Sequence, residues 1–192
     1  MKRLIVLLSA LALSLSARAA VETYTIDPVH SSAGFTVRHL FSNFSSSFTK
    51  VTGTITVDRE NLEKSSVVAS IDVGALNTGS EKRDTDIKGS IFFEVAKFPT
   101  MSFKSTAWKK TGEDTFEVTG DLTIKDVTKP VVLKTTLLGF GPGMKPDTFL
   151  SGWGATTILK KSEFNMAGPA MLSKVVGDEV TVTINVEAGY KK

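Results

Sequence analysis

The sequence predicts an all-β fold, an antiparallel barrel or sandwich with one short helical insertion. Three observations lead there. Apolar and polar residues alternate with a period of two through eight or nine short segments, as in strands with one face buried. Turn-forming clusters such as Lys109–Asp114 and Gly139–Pro146 separate them at close intervals. Only one stretch, near residues 79–88, carries helix start and stop signals.

The strands follow in order. Tyr24 and Ile26 alternate with threonines until Asp27-Pro28 breaks the run. Ala33, Phe35, Val37 and His39 share one phase, with Gly34, Thr36 and Arg38 on the other. Val51, Ile55 and Val57 form the next apolar face. The connector between these two strands carries Leu40, Phe41, Phe44 and Phe48 among serines, which calls for something apolar beneath it. Val67, Ala69, Ile71 and Val73 alternate in turn. Thr78-Gly79-Ser80-Glu81 has capping-box spacing and predicts a helix over about 79–88, stopped by Gly89. Strands resume over 100–108 with Met101 and Phe103 in phase, over 116–124, and from Val131 through Leu133 to Leu137. Lys125–Pro130 reads as a turn, a further strand spans about 149–159, and Val180, Val182, Ile184 and Val186 close the series.

The first nineteen residues do not belong to this pattern. Lys2 and Arg3 precede an apolar run from Leu4 to Leu15, and Ala17-Arg18-Ala19 fits a small-residue cleavage site. The run is shorter than the roughly 20 residues of a membrane-spanning helix. We therefore expect a secretory signal over 1–19, cleaved near Ala19, and a soluble exported protein with one domain over 20–192. The formal charge of +3 is carried entirely by Lys2, Arg3 and Arg18, because the remainder balances. A neutral domain has no overall field to draw nucleic acid. With no cysteine, neither disulfides nor a lipidated cysteine is available, and stability rests on burial.

Few residues suggest catalysis. His30 and His39 are the only histidines, nine apart, so on one strand they would face opposite sides. Zinc prefers three or four His or Cys ligands, so no metal or other cofactor is expected. An enzyme would have to work through Asp27, His30 or His39 on a small substrate. Arg83 either docks the helix through a pair with Asp84 or binds a phosphate with its planar fork. Gly139–Gly143 resembles a phosphate loop, but Pro142 lacks an amide and no helix follows. Neither G-x-S-x-G nor H-E-x-x-H is present. Trp108, Trp153 and the twelve phenylalanines read equally as a filled core or as a cavity lining with Leu40, Phe41, Phe44 and Phe48 at its mouth. A filled core would make the protein an interaction module instead.

Several pieces in fixed order resemble the YceI-like exported lipid-binding proteins. They are Tyr24-Thr25-Ile26-Asp27 with His30-Ser31, Phe35–Leu40, Phe48–Gly53, Arg83-Asp84, Phe92-Phe93 and Phe98-Pro99. The most distinctive is Gly120–Ile124 followed by Val127–Val131. The resemblance implies a lipocalin-like eight-stranded antiparallel β-barrel with a helix near one end. It also implies a hydrophobic tunnel for a polyisoprenoid or another long-chain lipid, no catalysis, and roles such as stress response or isoprenoid-quinone handling. The chain departs from the family where Asp86-Ile87 replace a histidine and leucine, within Ser45-Ser46-Ser47, and at Lys161, where an arginine is usual.

From phase, Phe35, Val37, Ile55, Val57, Ile71, Phe103 and Leu133 are the expected tunnel lining. Arg38, His39, Arg83 and Lys161 are the expected partners of a polar head group. A lipid ligand brings transient contact with a membrane within scope, and the sequence leaves room for a homodimer.

Overall fold

In the computed structural model, which describes residues 21–191, the alternating segments become ten strand stretches in one antiparallel sheet. The expected signal segment, 1–19, lies outside the described residues. The strands are β1 (Glu22–Ile26), β2 (Ser32–His39), β3 (Ser42–Phe48), β4 (Val51–Val57) and β5 (Ser66–Asp72). They continue as β6 (Thr100–Lys110), β7 (Thr115–Ile124), β8 (Val127–Pro142), β9 (Thr148–Lys160) and β10 (Val176–Lys191). Eight of them, β1-β4-β5-β6-β7-β8-β9-β10, form a ring that closes where Thr25 faces Gly189 and Ile26 faces Ala188. The fold is a closed barrel, and the sandwich alternative falls.

The remaining pair, β2 and β3, is a hairpin that extends the wall at one end. β10 is long enough to serve both partners, pairing with β1 near its C-terminus and with β2 from Val176 to Asn185. β1 and β2 are thus one long strand interrupted at Asp27–Ser31. The interruption is stapled across: Asp27 N–H donates to the Glu187 carbonyl at 2.9 Å, and the Ser31 hydroxyl bonds both the carbonyl and the N–H of Glu187 at 3.2 Å. Buried Ser31 thereby stands in for ladder bonds the bulge removes, which a buried strand cannot leave unmade.

β3 and β4 are likewise one strand broken at Thr49-Lys50, so the expected connector over 40–50 is mostly strand. Its turn is Leu40-Phe41, with Leu40 at φ 48°. Elsewhere the turns are tighter than expected. Lys125-Asp126 alone joins β7 to β8, Ile124 facing Val127, and Pro130 sits within β8. The predicted Gly139–Pro146 loop shrinks to residues 143–147, because β8 runs on to Pro142.

β5 ends at Asp72, so among the described residues β3 has no strand on its free edge; the insertion over 73–99 fills that place. It contains α1 (Glu81–Lys88), capped by Ser80, whose Oγ accepts from the Arg83 N–H. The capping-box reading is corrected here. Thr78 lies outside the helix and instead donates its N–H and hydroxyl to Asp84. A second helix, α2 (Ala170–Val175), was not anticipated; six residues after Pro169 leave little periodic signal.

At the end opposite the insertion the interior is filled. Tyr24, Phe140 and Trp153 pack in series there, Tyr24 to Phe140 with ring centroids 6.0 Å apart and Phe140 to Trp153 5.8 Å. Tyr190 lies edge-on to Tyr24 at 4.8 Å and stacks on Phe149. Both tyrosine hydroxyls donate to the Glu22 carboxylate, at 2.7 and 2.9 Å. Burial, then that hydrogen bond, pushes both phenols upward. Arg59 lies 3.6 Å above the Phe140 ring and 3.9 Å from Glu22, completing the plug. Aromatic burial on this scale contributes about 1.5–3 kcal/mol for each fully buried ring.

Candidate functional site: a blind apolar cavity

The half of the barrel under α1 is not filled. Inward residues from all ten strands enclose a cavity of about 1040 Å3. Its floor is the edge-to-face pair Trp108 and Trp153, centroids 5.4 Å apart. Among the described residues both indole N–H groups are buried without an oxygen or nitrogen partner, and an edge-to-face pair offers a ring face to at most one of them. Below them the aromatic plug closes the barrel, so the expected tunnel is a pocket with one mouth. The mouth lies between the β2–β3 tip, α1 and α2, where Asn43, Arg83 and Leu172 reach the lining.

The structure places six of the seven expected lining residues on this wall: Phe35, Val37, Ile55, Ile71, Phe103 and Leu133. Val57 is the exception. It shares the phase but sits nearer the plugged end, fully buried and off the lining. Of the expected mouth residues, His39, Phe44, Phe48, Arg83 and Lys161 reach the cavity, whereas Arg38, Leu40 and Phe41 do not. Arg38 turns outward and donates to the Leu40 carbonyl at 3.0 Å. Phe41 is fully exposed at the hairpin tip, with nothing apolar beneath it.

Other wall residues escaped notice. Val180, Val182 and Ile184 of β10 line the cavity and could have been assigned from their alternation, since β10 pairs with β2 in register, Val182 facing Phe35. Ile91 and Leu172 left no such signal, because both sit in irregular or very short segments.

Polar groups are few: Thr135 lies near the floor, paired with Phe116 and Ala155, and the charged ones are placed toward the mouth. Lys161 is 5% exposed although its neighbour Lys160, at the end of β9, faces solvent. The reason is local: a 3-10 turn over Lys161–Phe164, ended by Asn165 in a left-handed conformation (φ 57°), swings Lys161 and Phe164 inward. The Lys161 ammonium donates to the Ala167 carbonyl at 3.3 Å and stands 3.9 Å from an Asp178 oxygen. Asp178 is held below the usual carboxylate range chiefly by the Ser162 hydroxyl, which donates to it at 2.7 Å. An ammonium has three donors, and one long bond with a distant carboxylate leaves it able to bind more.

Arg83 and Asp84 do not pair as a buried ion pair. Both bind Thr78, Arg83 through Nε to the hydroxyl at 3.0 Å and through a terminal nitrogen to the carbonyl at 2.8 Å. His30, Asp27 and Glu187 meet on the outside of the barrel, off the cavity lining, with ligand atoms within 4.8 Å of one another. The Asp27 Oδ1 already accepts the Val29 N–H at 2.8 Å, and Oδ2 lies 2.8 Å from His30 Nδ1. This cluster, with Glu187 unforeseen, holds the turn between β1 and β2. His39 is at the mouth, apart from the Asp27–His30 pair on the outer surface.

With that geometry in place, comparison with known proteins identifies the family. A YceI-like domain is matched over residues 24–188. The chain belongs to the YceI-like family. A UPF0312 protein of Pseudomonas syringae pv. tomato is 34% identical over 184 residues, covering 94% of this chain and 95% of that one. Among solved structures, Burkholderia cenocepacia BcnA superposes with a TM-score of 0.74 at 22% identity, over 85% of this chain and 99% of BcnA. A polyisoprenoid binding domain from Saccharophagus degradans gives 0.66 at 16% identity, over 86% and 97%. At those identities the two structures show the shared YceI-like fold.

Proposed function

We propose that this YceI-like protein is a periplasmic, non-enzymatic carrier that holds one polyisoprenoid or similar long-chain amphiphile inside its barrel. The observation that carries the reading is the blind apolar cavity, whose size is at the top of the range for small-molecule sites. A chain entering it trades water for hydrocarbon walls, at roughly 25 cal/mol per Å2 of apolar surface. The name of the Saccharophagus degradans domain points to the same ligand class.

The single mouth sets the orientation. The tail runs down toward Trp108 and Trp153, past Phe35, Val37, Ile55, Ile71, Phe103 and Leu133. The head stays beside Lys161, His39 and Arg83, where the ammonium and guanidinium suit an oxygen-rich or anionic group. Residues 20–192 are the working unit, released after removal of 1–19. Loading and delivery involve transient contact with a membrane. Stress response and isoprenoid-quinone handling are roles such a carrier would serve.

Native mass spectrometry of the protein purified from its own periplasm, followed by solvent extraction, tests this. A stoichiometric mass excess that extracts as an isoprenoid supports the carrier. An empty protein that also refuses long-chain lipids on reconstitution overturns it.

A further inference from the structure

We infer that the β2–β3 tip and α2 together form a docking surface for an anionic lipid bilayer, seated beside the cavity mouth. This rests on the carrier reading and names the surface through which the ligand is exchanged.

The apolar groups come first. Phe41 is fully exposed at the hairpin turn, Leu40 beside it is about half exposed at 45%, and Met171 on α2 is 70% exposed. None of the three lines the cavity, and none is needed to build the barrel. They belong to one surface, because the two segments are joined. Leu40 N–H donates to the Val175 carbonyl at 2.8 Å, and His39 faces Val176 in the β2–β10 register. Exposed aromatic and aliphatic groups concentrated at a rim mark an interaction site, whereas single scattered ones do not.

Charge selects the occupant. Between Thr36 and Phe48, and again between Asn165 and Gly177, there is no acidic residue, while Arg38 and Lys174 are both exposed. Basic groups flanking apolar ones are the composition of surfaces that rest in a lipid interface. α1, across the mouth, is mixed, with Glu81, Asp84 and Asp86 against Lys82, Arg83 and Lys88, and has no comparable bias. The two basic lips would therefore meet the membrane first.

The patch is also continuous with the cavity. Leu172, next to Met171, lines it, as do Val176 and Ile91. At Gly168 (φ 70°) an added Cβ would lie 2.7 Å from Leu172 and 3.2 Å from Ile91, so these two side chains meet at that glycine across the rim. A bilayer seated on Leu40, Phe41 and Met171 would abut the opening, and a long apolar chain could pass between them without crossing bulk water.

Flotation of the purified protein with vesicles tests the surface. Vesicles of phosphatidylcholine with phosphatidylglycerol should recruit it, and phosphatidylcholine alone should recruit it less. Phe41→Ser with Met171→Ser should lower recruitment about tenfold, and Lys174→Glu should abolish the preference for phosphatidylglycerol. Both variants should keep bound lipid by native mass spectrometry, since neither alters the cavity. No recruitment of the wild type, or equal recruitment of the double serine variant, overturns the proposal. So does a concentration-dependent dimer dispersed by Phe41→Ser, which would assign the patch to a second copy. Recruitment by a protein with a persistently empty cavity would sink the carrier reading while leaving the surface standing.

Discussion

The Arg83 guanidinium lies 4.2 Å from the centre of the Phe44 ring, tying α1 to β3 along the edge that pairs with no strand among the described residues. The same side chain holds Thr78 by two hydrogen bonds. Arg83→Ala should cost about 1 kcal/mol, given its exposure, and raise hydrogen exchange in α1 more than in the barrel. Lysine should restore little, because it cannot donate twice in a plane. Unchanged exchange in α1 would mean that other contacts position it.

Phe35 and Val57 separate wall from core. Phe35 lies 5.7 Å from Phe48 and 6.1 Å from Phe44, ring to ring, on the cavity lining. Phe35→Asp in a folded protein should abolish retention of lipid, because the carboxylate would have to be desolvated beside the tail. Val57→Ala should cost about 2 kcal/mol of stability and leave lipid occupancy unchanged. Denaturant unfolding and native mass spectrometry read the two effects separately.

Lys161→Met removes the charge while keeping an unbranched apolar chain. Affinity for a phosphate-headed isoprenoid should fall about tenfold or more, while a neutral-headed one is held as before. Equal losses for both would remove Lys161 from head-group contact. If the tail dominates, affinity for the neutral ligand should also barely change with added salt.

His30 is raised above its ordinary 6.5, first by its hydrogen bond to Asp27 and then by that carboxylate's charge. Asp27 is lowered below 3.8, first by the bond to His30 and then by the Val29 N–H. The pair therefore contributes most between about pH 3.8 and 6.5. Its contribution fades as pH rises through the raised His30 value, and as pH falls through the lowered Asp27 value. In an NMR titration, Asp27→Asn should move His30 back toward 6.5. No movement would mean the side chains are apart in solution.

Gly53 sits in β4 at φ 138°, and a Cβ there would lie 2.1 Å from the Val68 carbonyl oxygen. Gly53→Ala should cost about 2–3 kcal/mol and widen the β4–β5 pairing. A thermal unfolding midpoint equal to wild type would show that the strand can relax.

Where alternation was strong, the barrel was legible in the sequence. Phe35, Val37, Ile71, Phe103 and Leu133 reach the cavity because a pleated strand leaves each inward residue no other side to face. Phase alone gives direction but not height, which is why Val57 joined the plug. β3 was obscured by Ser42, Ser45, Ser46 and Ser47, whose weak strand preference is overridden by pairing with β2. Phe41 departs from the expectation because a hairpin tip can hold an apolar side chain in solvent with nothing beneath it. The inward turn of Lys161 depends on the left-handed residue Asn165, and the Asp27–His30–Glu187 cluster joins residues more than 150 positions apart. No local pattern encodes either.

The seam between β1 and β10 joins the two extremes of the described chain, Ile26 facing Ala188. A ring completed by its first and last strands has no closed intermediate. Until β10 forms, β1 has no partner on that side, and the wall stays an open, curling sheet. Contacts of such long sequence separation also form slowly. A chain folding from its N-terminus would thus be kept from premature closure by its own topology. It would complete its barrel only once β10 had joined β1.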